Sequence, residues 1–124
     1  MAEVLVKRLH KRFPNGTVAV KELDLTIGDG ELFVMLGPSG CGKTTTLRCI
    51  AGLEEETSGQ IFIGEELVSG LRPSERDIAM VFQFYALYPH LTVRDNMAFP
   101  LRAAKMPEAE VKQRVQEAAR MLRL

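Results

Sequence analysis

Gly37-Pro38-Ser39-Gly40-Cys41-Gly42-Lys43-Thr44 satisfies the spacing G-x-x-x-x-G-K-[ST] at every constrained position, and no other segment limits the fold of the chain so tightly. The apolar run Leu32-Phe33-Val34-Met35-Leu36 leads into it, and Thr44 to Ile50 leads out, with Leu47, Ile50 and Ala51 spaced for one helical face. The pattern therefore predicts strand, loop and helix in that order. Gly37, Gly40 and Gly42 remove the Cβ atoms that would hold the backbone away from a ligand. Successive N–H groups at a helix N-terminus can then converge on an anion, favoured by unpaired donors and by the helix dipole. Lys43 adds a positive charge for the β and γ phosphates of a nucleotide, and the Thr44 hydroxyl suits the Mg2+ that travels with them.

Charge and length exclude several alternatives. Sixteen basic and sixteen acidic residues cancel, so net charge gives no reason to expect nucleic acid or an acidic membrane surface as a partner. Residues 1–8 lack the apolar core of a signal peptide, and no apolar run approaches the ~20 residues of a membrane span. A cytoplasmic chain without direct membrane insertion is expected, reaching a membrane only through another protein. Cys41 and Cys49 make neither a disulfide framework nor a metal knuckle. Cys41, inside the loop at a helix N-terminus, is expected to be modifiable when the site is empty, and Cys49 to be a small buried apolar residue.

The first third reads as β structure. Val4, Val6 and Leu9 suggest one strand, and Val18, Val20, Leu23, Leu25 and Ile27 a half-buried second one. Phe13-Pro14-Asn15-Gly16 between them carries turn chemistry, so a hairpin is expected. Gly28-Asp29-Gly30 is a second turn. Gly52 to Gly59 is a connector whose Glu54-Glu55-Glu56 run reads as a solvated turn, followed by a short strand over Gln60 to Gly64. Ile78-Ala79-Met80-Val81-Phe82 reads as a fully buried strand ending at Gln83. From Thr92 the composition becomes helical. Pro107 suits a first helical turn, Val111, Val115, Ala118, Ala119 and Leu122 form one apolar stripe, and the pairs Glu108/Lys112 and Glu110/Arg114 stand four apart with the acid first. That helix is expected to run to the last residue.

Together these segments resemble the nucleotide-binding subunits of ABC transporters, most closely those that energise carbohydrate import. The resemblance covers the whole chain. It rests on Gly37 to Thr46, on Ala51-Gly52-Leu53-Glu54 followed by Thr57-Ser58-Gly59, and on Met80-Val81-Phe82-Gln83 followed by Tyr85-Ala86-Leu87-Tyr88-Pro89-His90. The fold it implies is α/β: a phosphate-loop NTPase core with an N-terminal antiparallel β region over residues 1–91 and the start of a helical subdomain over 92–124. ATP and Mg2+ are the implied ligands, gripped by Gly37, Pro38, Ser39, Gly40, Cys41, Gly42, Lys43, Thr44 and Thr45. Phe13 aligns with the aromatic that stacks on adenine, or else plugs the hairpin. Val18 matches a position beside the nucleotide, or is an ordinary strand residue. Gln83 resembles the glutamine that reaches Mg2+ and the attacking water, which with Lys43 makes the implied catalytic pair. Tyr85 to His90 resembles the surface that receives a helix of the transmembrane permease, with Phe84 and Leu87 forming a local core under the loop as the alternative. His90 lies too early to be the switch histidine of the family. A second ATP-binding subunit is the other implied partner.

The sequence contains no Leu-Ser-Gly-Gly-Gln signature, no apolar run ending in Asp-Glu and no histidine after His90. The 124 residues are therefore expected to correspond to the N-terminal half of such a subunit, an incomplete domain that binds ATP without hydrolysing it and exposes strand edges prone to self-association. A nucleotide- or permease-binding module without catalysis is the alternative function. A small phosphate-loop kinase is a third, weakened by the absence of an Arg-rich lid.

Overall fold

The computed structural model describes residues 2–124, which divide after Met80 into two compact units. The first unit carries the β structure. Strands β1 (Val4–Arg12), β2 (Val18–Ile27), β3 (Ser58–Ile63) and β4 (Glu66–Leu67) form one antiparallel sheet in the order β2-β1-β3-β4. The expected hairpin closes β1 onto β2, with the Phe13 N–H donating to the Thr17 carbonyl at 2.9 Å. Helix α1 (Lys43–Ile50) follows the phosphate-loop motif, as the pattern requires.

The apolar positions of β1 and β2 skip a residue, and the structure explains why. Val6 and Leu9 are both buried although three apart, because the pairing of β1 with β2 shifts register between them. Arg8 and Glu22 sit at positive φ, 48° and 47°, inside the two strands. Such bulges flip the side chains beyond them onto the other face, which keeps Leu9 on the core side with Val6, and Leu23 with Val20. Gly59 is required at this place. A Cβ there would lie 2.6 Å from the Arg8 carbonyl oxygen, on a backbone at φ 106°. The core combines Val6, Leu9, Val20 and Ile61 of the sheet with Cys49 of α1 and Val68, so burial of Cys49 is as expected.

Two expected strands are not formed. Residues 32–36 and 78–82 join no ladder, and Leu32, Val34, Leu36, Val81 and Phe82 are exposed, so the second run is not the fully buried strand expected. A parallel strand draws its hydrogen bonds from neighbours on either side, and among the described residues no strand lies beside either run. The Glu54–Glu56 run is also more than a solvated turn: Glu54 pairs with the buried Lys11 at 2.8 Å.

The second unit is a helical pair, α2 (Val93–Ala103) and α3 (Glu108–Leu122), closed around Ala98, Val111 and Val115. Residues 81–91, expected with the β region, cluster here. Asn96 of α2 accounts for this, since its amide accepts from the Tyr88 N–H at 2.9 Å and donates to the Leu91 carbonyl at 3.2 Å. Thr92 caps α2, accepting from the Asp95 N–H at 3.1 Å and donating to its carboxylate at 2.6 Å. Pro107 stands at the N-cap of α3, one residue ahead of the first turn. The expected pair Glu110/Arg114 forms at 2.8 Å, whereas Glu108 turns from Lys112 to Arg102 of α2 at 2.6 Å. A carboxylate at a helix start has a better partner across the interhelical gap in a guanidinium that can engage it twice. The last helix stops at Leu122, with Arg123 in the left-handed conformation at φ 57°.

Candidate functional site

The phosphate-loop motif folds as a turn running into the N-terminus of α1. Gly42 is the N-cap residue, in the left-handed region at φ 94°, and no side chain caps the helix. No acidic residue occupies the first turn of α1, in contrast to Asp95 in α2 and Glu108 and Glu110 in α3. The first-turn amides of Lys43, Thr44 and Thr45 have no partner within the helix, so α1 presents an uncompensated positive end. Gly40, at φ 82°, would place no Cβ within 4 Å of any atom, so its backbone lies open on the surface of the loop.

Gly42 does two jobs. Besides its left-handed backbone, its missing Cβ makes room for β2: a methyl there would sit 2.3 Å from the Ala19 carbonyl oxygen. The loop is thus seated against β2 one residue from Val18, which begins that strand opposite Arg12 and is exposed. Phe13 stands at the adjoining hairpin turn, half-buried, with the Lys11 ammonium 5.0 Å from its ring centroid. A cleft of about 360 Å3 lies between β2 and the loop, lined by Val20, Leu23, Phe33, Met35, Lys43 and Thr46 among others.

The Lys43 ammonium reaches back over the loop. It donates to the carbonyls of Gly37 and Pro38 at 2.6 and 2.7 Å and to Cys41 Sγ at 3.4 Å. Pro38 also accepts from the Cys41 N–H at 3.4 Å. Cys41 and Thr44 are exposed, as are Ser39 and Gly40. Open glycines, uncapped amides and a lysine held by weakly competing carbonyls fit a polyphosphate. A metal fits only in company with one. Among the described residues no group of three His, Cys, Asp or Glu side chains could hold a cation alone, which leaves the Thr44 hydroxyl and phosphate oxygens as donors.

Gln83 lies in the second unit, exposed, at the start of a turn in which the Tyr85 N–H donates to the Phe82 carbonyl at 2.9 Å. Tyr85 and Ala86 both adopt positive φ, 59° and 48°, which turns the segment outward. Phe84 and Leu87 do not form a core under the loop. Both are exposed, as is Tyr85, where two consecutive residues take left-handed backbone. Tyr88 packs against Phe99 with ring centroids 4.6 Å apart at a 45° tilt and meets the His90 ring edge-on at 6.1 Å.

Three residues that hold these features were not singled out in the sequence. Lys11 belongs to the inward face of β1, two residues after Leu9, where a charged residue on a buried alternation is itself the signal. Asn96 follows the Thr92-x-x-Asp95 capping pattern, which was readable. Arg76 gave none, standing within a polar run. It is buried and donates to the carbonyls of Cys49 at 2.7 Å, Ile50 at 2.8 Å and Leu71 at 3.1 Å, so that it caps the far end of α1. Burial holds its guanidinium below the ordinary value, with Glu56 opposing that shift.

Comparison with known proteins adds identity to this geometry. The model of a family described as ABC transporter matches residues 20–124. The trehalose import ATP-binding protein SugC of Mycobacterium tuberculosis is 56% identical over 124 residues, which is 100% of this chain and 32% of that protein. The sn-glycerol-3-phosphate import ATP-binding protein UgpC of Roseobacter denitrificans is 52% identical, again over 100% of this chain and over 35% of the relative. The chain thus spans about a third of the length of the curated relatives it matches. Among solved structures, the dimeric post-hydrolysis state of the ATP-binding cassette MJ0796, bound to ADP and Pi, superposes with a TM-score of 0.86 at 32% identity. That match covers 98% of this chain and 57% of the other. The cbiO1 protein of Clostridium perfringens, part of the ABC transporter complex cbiONQ, gives 0.79 at 28% identity over 94% of this chain and 49% of its own.

Proposed function

The chain belongs to the ABC transporter family, and from that premise we propose that it is the ATP-binding portion of a nucleotide-binding subunit that energises solute import. The name of the trehalose-import relative supports a carbohydrate as the solute. The observation that carries the reading is the uncapped, acid-free N-terminus of α1, entered through a left-handed Gly42. Such a terminus is costly to leave unpaired and is repaid by an anion.

In this reading the amides of residues 37–45 cradle the phosphates. Lys43 exchanges its bonds to the Gly37 and Pro38 carbonyls for charge-assisted ones to the β and γ phosphates. The Thr44 hydroxyl would help hold Mg2+, which when bound would offset phosphate charge. Phe13 stacks on adenine and Val18 packs beside it. Gln83, a neutral amide exposed on its turn, would be the group that engages and releases the metal and the water. Tyr85 to His90 docks on a permease, consistent with the exposure of Tyr85, Leu87 and Tyr88. Closure against a second ATP-binding subunit is supported by the dimeric MJ0796 neighbour. The protein then works at the cytoplasmic face of a membrane, held there by the permease. No helix among the described residues is long and apolar enough to cross one.

Calorimetry of Mg-ATP binding to the chain, with phosphate release assayed on the same sample, tests this. Binding in the micromolar to millimolar range, about 4 to 8 kcal/mol, is expected. Release should stay at background, because no apolar run ending in Asp-Glu occurs in the sequence. Lys43→Ala should abolish binding and Gln83→Ala should leave most of it. Equal losses in the two variants would refute the role given to Gln83, and no binding by the unsubstituted chain would refute the site.

A further inference from the structure

We infer that Lys11 is a positioning residue for the nucleobase, holding the Phe13 ring so that only one of its faces is open to adenine and tying that ring to the end of the phosphate helix. The inference rests on the proposed ATP site and extends it to a residue that touches no ligand. Lys11 is buried, although its neighbours Arg12 and Phe13 are exposed and half-buried. Its ammonium lies 5.0 Å from the centroid of the Phe13 ring, over one face. The same ammonium pairs with a Glu54 carboxylate oxygen at 2.8 Å and donates to the Glu55 carbonyl at 2.6 Å. Both partners lie in the connector just past the C-terminus of α1, which ends at Ile50.

The consequences follow from chemistry. A cation over one face of an aromatic ring is attracted by its quadrupole, most strongly where water is excluded. The ring is therefore fixed in orientation, and a stacking base must take the opposite face. Because the cation is also bonded to the connector leaving α1, the base platform is registered against the helix whose N-terminus holds the phosphates. One ligand must satisfy both ends at once, so a fixed spacing between them lowers the ordering cost of binding. An ammonium drawing π density to its side also leaves the open face better suited to an electron-rich purine.

The test compares Mg-ATP with magnesium and inorganic triphosphate, which has the phosphates and no base, on the chain and its variants. Lys11→Met and Phe13→Ala should each weaken Mg-ATP about three- to tenfold and leave triphosphate within about twofold. The double variant should be no weaker than Phe13→Ala alone, and Lys11→Arg, which retains the cation, should keep the ratio of the unsubstituted chain. Equal weakening of ATP and triphosphate by Lys11→Met, an unchanged ATP affinity, or full additivity in the double variant would overturn the inference while leaving the phosphate site standing. If Phe13→Ala leaves ATP unchanged relative to triphosphate, the adenine platform itself is wrong and the inference falls with it. Absence of any ATP binding by the unsubstituted chain removes both. Should Lys11→Met fail to fold, Lys11→Gln, neutral but able to donate to Glu55, takes its place and the same ratio decides.

Discussion

Replacing Arg76 with methionine keeps most of the side-chain volume and removes three hydrogen bonds at once. The Cys49 carbonyl would retain the Gly52 N–H at 3.0 Å, but those of Ile50 and Leu71 would lose the guanidinium donor that serves them at 2.8 and 3.1 Å. A hydrogen bond from a charged donor contributes ~1.5 to 3 kcal/mol, and a buried acceptor left unpaired costs ~1 to 3 kcal/mol. With one carbonyl still satisfied, the three losses amount to about 3 to 5 kcal/mol. The unit ending at Met80 has a stability of only ~4 to 12 kcal/mol at ordinary values per residue. The substitution therefore removes a quarter or more of it, at the far end of the helix that carries the phosphate loop.

The two cysteines supply the assay. The chain has no tryptophan, and both tyrosines, Tyr85 and Tyr88, lie in the second unit, so intrinsic fluorescence does not report on this region. Cys41 is exposed and Cys49 is buried against the sheet. Burial, reinforced by Glu56, raises the Cys49 thiol above its ordinary value, which further suppresses its reaction in the closed state. A chromogenic disulfide should label Cys41 at once and Cys49 only through opening. Arg76→Met should speed the slow phase about 10²- to 10³-fold, the factor that 3 to 5 kcal/mol implies at its lower end. Gly52→Ala should move it in the same direction, because a Cβ there would lie 2.7 Å from Arg76 Nε. A slow phase unchanged within about threefold in Arg76→Met, with a native circular dichroism spectrum, would refute the assignment of Arg76 as the cap of α1.

Two other outcomes are accessible. Gly42→Ala adds a left-handed penalty of ~1 to 2 kcal/mol to a 2.3 Å overlap with the Ala19 carbonyl, so Mg-ATP affinity should fall at least about tenfold with helix content retained. Unchanged calorimetric affinity would contradict the seating of the loop on β2. In the helical unit, the Thr92 hydroxyl and then Arg102 hold the Asp95 carboxyl below its ordinary value, and Arg102 does the same for Glu108. Folded values below the unfolded ones of about 4 mean a contribution present above that pH and lost as pH falls through the folded values. Helical signal should accordingly decline on acidification below about pH 4, and Arg102→Met should shift that limb upward; coincident acid limbs would count against the bridge.

How much of this was legible depended on whether the signal was local. The loop, its helix, the hairpin at Phe13-Pro14-Asn15-Gly16 and the Val111/Val115 stripe rest on neighbours in sequence, and all were readable. The bulges at Arg8 and Glu22 were present only as a skipped alternation, whose cause becomes visible when the two strands are paired. Arg76 was not legible, since the two acceptors that end α1 lie 26 and 27 residues earlier and nothing in residues 72–77 distinguishes a capping guanidinium from a solvated one. The Glu54–Glu56 run misled for the same reason: its partner, Lys11, stands 43 residues before Glu54 along the sequence.

The two expected strands that do not form are the most instructive difference, because both read as continuous apolar runs, the second as fully buried, whereas the structure exposes alternate residues of each. Phe33 and Met35 are less exposed than Leu32, Val34 and Leu36, whose relative exposures are 90, 64 and 86%. In the second run Ile78 and Phe82, at 37 and 40%, contrast with Val81 at 86%. Each segment thus has the two-residue alternation of a strand without its hydrogen bonds. Side-chain direction follows from φ and ψ alone, whereas a ladder needs a neighbour. The loop nevertheless keeps its left-handed glycines and its contact with Ala19. Its shape must then come from other supports, namely β2 against Gly42, the Lys43 ammonium across the loop carbonyls, and Arg76 at the far end of α1. The strand–loop–helix context led correctly to the motif, yet the preceding strand is not what holds the loop. Those three anchors, Ala19 of β2, Lys43 of α1 and Arg76 from the segment ahead of Met80, explain how a phosphate-binding geometry exists beside a segment that joins no ladder.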